Sequence, residues 1–147
     1  MSTVTVADLV VELPYNHHLG LKAVEGPDGS VLLPGADYLK NHVDSQHAGA
    51  LFSVAEAASG VAMMTALGDH IGEVVPLVAE VTARYLKVAR GPIIAKGTLA
   101  KPVEALLAEV AAAEKGVDAN VEVVLRDQTQ TVVAEVTVRW RLKKPRA

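Results

Sequence analysis

The sequence contains no cysteine. Disulfides, thiolate nucleophiles and cysteine-ligated zinc are therefore excluded, and the chain suits a reducing compartment such as the cytoplasm. Aromatic residues make up only 3% of the 147 residues, as three Tyr, one Phe and one Trp. The core must therefore be built from Val, Leu, Ile and Ala. Basic residues are not in excess, since the net charge is −3 and the pI about 5.9. With no basic stripe to offset phosphate charge, a nucleic-acid role finds no support. The densest basic group, Arg139, Arg141, Lys143, Lys144 and Arg146, reads as a solvated strand face and tail. The first ten residues lack a basic segment followed by an apolar run, so no secretory signal is expected. No apolar run reads as long enough to cross a bilayer. The expectation is a soluble, cytoplasmic protein without membrane partners.

Half of the residues are hydrophobic and 21% are charged, the balance of a chain that buries a core as one domain over 1–147. Val6, Leu9, Val10 and Leu13 follow helical spacing, with Thr5 as N-cap and Asp8 three residues on. Pro14 is expected to stop this first helix, placed at 1–14. An extended segment from Leu19 to Glu25, a turn at Gly26-Pro27-Asp28-Gly29 and a return strand from Val31 to Leu33 follow. The stretch 47–67 is Ala-rich, free of proline and apolar nearly all round, the mark of a helix buried on most sides. Period-two alternation then runs through 76–142, as in Val132, Ala134, Val136, Val138, Trp140 and Leu142 against Glu135, Thr137, Arg139 and Arg141. An amphipathic helix near 102–115 interrupts it, carried by Val103, Leu106, Leu107 and Val110. Short connections favour antiparallel pairing among the last four strands. Layer logic gives an α+β fold, a curved antiparallel sheet around one long central helix.

Chemistry concentrates between Asn41 and Gly60. A polar loop containing Asn41 and His47 leads straight into the long helix, whose free backbone N–H groups and positive dipole end suit a developing oxyanion. Glu56 is the only charged residue between His47 and Leu67. A carboxylate set in an Ala, Val and Leu helix pays for desolvation unless stabilised, and raised pKa values of this kind accompany acid–base chemistry. Gly49 and Glu56 share nearly one face but lie about 10 Å apart along the axis, too far for one carbonyl to touch both. They meet only when a second copy of the helix runs antiparallel to the first, as in a two-fold dimer. His17, His18, His42 and His47 do not show metal spacing, so no metal site is expected.

The pattern N-x5-H-x-G-A-L-F-x3-E, Asn41 to Glu56, resembles the central motif of hot-dog-fold thioesterases, in the branch of the phenylacetate-pathway thioesterases and the DUF4442 group. Tyr85-Leu86-Lys87 with Gly91, and Val132 to Leu142 with its tryptophan, extend the resemblance to about residues 15–143. It implies a hot-dog fold and hydrolysis of an acyl-CoA, with CoA as part of the substrate and no separate cofactor. Glu56 matches the acidic position that acts as general base or nucleophile. Asn41 matches the position that holds water or thioester, and His47 the histidine that shapes the helix mouth. Ala48 stands where many relatives have glycine and would offer its N–H to the oxyanion, with Gly49 beside it. Lys87, Arg90 and Lys96 are candidates for the CoA phosphates. A homodimer or homotetramer is implied.

The resemblance also admits a non-catalytic hot-dog protein that binds an acyl ligand or serves as an assembly partner. Ala48 favours it, as does Val78, which falls where some relatives carry a hydroxyl. A hot-dog hydratase would need an Asp–His pairing that the sequence does not present.

Overall fold

The computed structural model describes residues 3–26 and 29–146. Its central element is α3, Ala48–Leu67, a 20-residue helix in which twelve residues are buried. Small side chains let a sheet close around it. At Gly97 the backbone comes so near that an added Cβ would lie 2.9 Å from the Ala58 carbonyl oxygen. By length and composition alone the stretch 48–73 passes for a membrane span, contrary to the expectation that no run was long enough. Most of that window is instead buried inside the domain, as in the core helix of a globular fold.

The sheet has six antiparallel strands in the order β1-β2-β4-β5-β6-β3. These are β1 Lys22–Ala23, β2 Val31–Leu33, β3 Val75–Tyr85, β4 Ile93–Leu99, β5 Val117–Arg126 and β6 Val132–Lys143. The inner face, for example Ala134, Val136, Val138, Trp140 and Leu142 of β6, packs on α3. The outer face is charged: Arg139 bonds Asp118 and Glu80, and Arg141 bonds Asp118. A curved sheet wrapped around one long helix is the hot-dog arrangement the resemblance implies.

Local details differ from the expectations. Pro14 does not simply end a helix. The first helix, α1, is Val6–Val11, closed into a capping box by Thr5 and Asp8. Pro14 then opens α2, Pro14–Leu19, because its fixed φ and missing N–H fit a first helical position. Gly20 closes α2 with φ 83, so the following strand shrinks to two residues. Of the expected turn, Pro27 and Asp28 lie outside the described residues. The helix near 102–115 is α4, Val103–Ala112, and β5 begins at Val117. Finally, β3 pairs with β6 rather than with its chain neighbour β4. It therefore forms one edge of the sheet, is exposed along most of its length and bears a bulge between Val78 and Glu80.

Candidate active site

The loop 40–47 is held by side chains that bond backbone. Asn41 Oδ1 accepts from the N–H groups of Val43 and Ser45 at 3.0 and 3.1 Å. Ser45 is buried, and its Oγ accepts from the Ala89 N–H at 3.0 Å and donates back to the Ala89 carbonyl at 3.2 Å. Gln46, also buried, donates through Nε2 to the carbonyls of Pro34 and Gly91, both at 2.9 Å. These bonds bolt the loop to the 86–92 connection, and Lys40 pairs with Gln46 in a short antiparallel bridge. The sequence did not single out Ser45 or Gln46, because their partners lie more than ten residues away in the chain. Ser45→Ala would leave the fully buried Ala89 N–H without its acceptor. A loss of about 1–3 kcal/mol is expected, seen as a lower urea midpoint at unchanged slope.

His47 caps α3. Its Nδ1 accepts from the Gly49 N–H at 2.9 Å, which places the proton of the neutral ring on Nε2. Its carbonyl accepts from Ala50 and Leu51. The Gly49 amide, expected beside that of Ala48 as an oxyanion donor, is thus already engaged by the cap. Ala48 N–H is the first-turn amide left without an acceptor among the described residues, and Ala48 and Gly49 are exposed. Ser53 steadies the same turn, donating to the Gly49 carbonyl at 2.8 Å and bonding the Tyr15 hydroxyl at 2.8 Å.

Two turns along, Glu56 is half-buried, and its carboxylate has no hydrogen-bond partner among the described residues. Burial pushes its pKa above the ordinary glutamate value. The backbone at this point is fixed from the sheet: Trp140 Nε1 donates to Ser59 Oγ at 3.2 Å, and Ser59 Oγ donates to the Glu56 carbonyl at 2.7 Å. Phe52, one turn before Glu56 on the same side, is 39% exposed. Gly49, Phe52 and Glu56 thus form a stripe that the chain leaves at least partly uncovered along the first half of α3. Within one chain the helix mouth and the carboxylate are on that stripe but two turns apart, as the spacing requires.

The remaining candidates divide. Lys87 and Arg90 are exposed on the connection that Ser45 clamps to the loop, so they lie on the same side as the helix mouth. Lys96 is not brought there. In β4 the residues Ile93 and Ala95 face inward, and Lys96 shares the outer sheet face with Ile94 and Thr98. Val78 stands on exposed β3 opposite Trp140 of β6.

Comparison with known proteins follows the geometry. A solved structure from Pseudomonas aeruginosa, described as a protein of unknown function and probable thioesterase, is 29% identical over 95% of this chain and 94% of its own, with a TM-score of 0.82. A second Pseudomonas aeruginosa protein, described as a conserved protein, is 22% identical over 91% of this chain and 97% of its own, with a TM-score of 0.71. A thioesterase of Haemophilus influenzae shares the fold at 13% identity and a TM-score of 0.73, over 97% of this chain and 93% of its own. A search of curated proteins gave no match. The model of the DUF4442 family, a domain of unknown function, matches residues 11–142. With nearly the whole domain matched and hot-dog thioesterases as structural neighbours, the chain belongs to the DUF4442 family within the thioesterase superfamily.

Proposed function

We propose that the protein is a cytoplasmic acyl-CoA thioesterase that works as a homodimer, with each site shared between two subunits. The observation that carries this reading is the half-buried Glu56 on the same helix as the Ala48 amide, both without a hydrogen-bond partner among the described residues. A carboxylate kept in an apolar helix without a partner costs stability, and the cost is understandable where the group does chemistry. Edge strand β3 supports the assembly. It is 11 residues long, its outer edge has no strand partner among the described residues, and Val75, Leu77 and Val78 are exposed on it. Such an edge invites pairing with another chain. Two-fold pairing there sets two α3 helices antiparallel and brings one subunit's Glu56 to the other's helix mouth.

In the proposed reaction the thioester oxygen accepts from Ala48 N–H. Asn41 keeps Oδ1 on the loop amides and offers Nδ2 to water or substrate. Glu56 of the partner either takes a proton from water as it adds to the carbonyl carbon or attacks that carbon itself. The tetrahedral adduct collapses with cleavage of the C–S bond. The electron pair leaves on sulfur, the thiol regains a proton, and in the nucleophilic route water then opens the acyl–glutamyl anhydride. Lys87 and Arg90 are the cations placed to meet the carrier's phosphates. A panel of acyl-CoAs assayed for released thiol tests the reading, with wild type beside Glu56→Gln. Hydrolysis lost in the variant supports it. Acyl-CoA retained by both proteins without thiol release would favour the binding-protein alternative that Val78 suggests.

A further inference from the structure

Four of the chain's five aromatic side chains, Tyr15, Tyr38, Phe52 and Tyr85, stand around the first turns of α3. All four are at least 39% exposed. In a chain so poor in aromatics, uncovered rings gathered at one place mark a recognition surface. Tyr15 and Tyr38 are 64% and 66% exposed, yet both hydroxyls are turned onto protein. Tyr15 bonds Ser53, and Tyr38 donates to the Leu19 carbonyl at 2.8 Å. An exposed tyrosine ordinarily keeps its hydroxyl in water and lays its ring on the protein. Here the hydroxyls are pinned and the rings are left uncovered.

Between the two rings lies a cavity of about 230 Å³ whose walls are completed by Leu19, Leu39 and Ala50. His47 and Gly49, the neighbours of Ala48 in the chain, are also part of its lining. The one cation on its rim, Lys40, is ion-paired with both Asp37 and Asp44, at 3.0 and 3.1 Å. Its lining therefore offers no free positive charge to the carrier's phosphates.

We propose that this cavity receives the acyl group of the thioester and restricts it to a compact chain of about eight non-hydrogen atoms beyond the carbonyl, at about 30 Å³ each. The proposal rests on the thioesterase reading and adds its substrate class: short- to medium-chain acyl thioesters rather than long-chain ones.

The test uses full-length protein and straight-chain acyl-CoAs from acetyl to dodecanoyl. From the area each methylene buries, kcat/KM rises about fourfold per added carbon until the cavity is full near octanoyl. It then falls about tenfold by dodecanoyl. Leu19→Trp narrows the cavity and lowers the hexanoyl-to-acetyl ratio of kcat/KM about tenfold. Tyr38→Ala, at an exposed position, opens the cavity and moves the optimum to longer chains, which keeps the test decisive should the tryptophan variant not fold. Dodecanoyl-CoA turned over as well as octanoyl-CoA, or a chain-length profile that neither variant moves, overturns the proposal. Calorimetry of hexanoyl-CoA against CoA on Glu56→Gln separates the two readings. If no acyl-CoA is hydrolysed but hexanoyl-CoA still outbinds CoA and Leu19→Trp reduces the difference, the hydrolase reading falls and the cavity assignment stands. Hydrolysis without chain-length preference does the reverse.

Discussion

Glu56→Gln is expected to lower kcat/KM for acyl-CoA hydrolysis by about a thousandfold, the scale for losing a positioned base, and to leave the fold intact. Gln keeps the size of the side chain and removes only its charge. Because burial raises the folded-state pKa of Glu56, the native protein binds that proton more tightly than the unfolded chain. The stability this contributes is complete below the unfolded value and is lost as pH rises through the folded one. Gln cannot ionise. The variant therefore gains stability relative to wild type as pH is raised from below 4.5, the ordinary value, toward neutrality, read from urea midpoints across that range. Wild-type hydrolysis follows the ionised carboxylate, so its acidic limb lies above the ordinary glutamate range. A second subunit over this stripe adds burial and moves the limb further up.

Ala48→Pro gives the second large effect. Proline at a first helical position costs the helix nothing, since that N–H has no intrahelical acceptor. His47 already has φ −62 and ψ 140, the extended conformation that a residue before proline adopts. The substitution thus removes one amide hydrogen, the free donor at the helix mouth, and little else. A loss of about 10²–10³ in kcat is expected, with an unchanged urea midpoint. A similar loss accompanied by a large drop in stability would instead trace to damage at the cap.

What the sequence disclosed depended on how local each signal was. Glu56 was legible because it is the one charge in an unbroken apolar helix, and that contrast lies within 20 residues. His47 as the start of α3 was legible from the polar loop before it. The alternations of β4, β5 and β6 were legible because one face of each strand packs on α3, whereas β3 alternates in sequence yet is exposed along most of its length. The place of β3 was not, because pairing with β6 rather than β4 is settled by how the sheet wraps the helix. Pro14 was read as a stop although the same fixed φ also starts helices. The Gly49 amide was expected to be free, but the histidine two residues earlier takes it. Ser45, Gln46, Tyr15 and Tyr38 drew no notice, since each acts through partners distant in the chain.

The most direct measurement mixes two inactive proteins. Glu56→Gln and Ala48→Pro chains are unfolded together, refolded and assayed. If each site takes its carboxylate from one subunit and its amide from the other, every mixed dimer regains one intact site. Random pairing then restores about one quarter of wild-type activity. Activity that stays at the level of the separate variants, in a mixture shown to contain mixed dimers, would contradict a site shared between subunits.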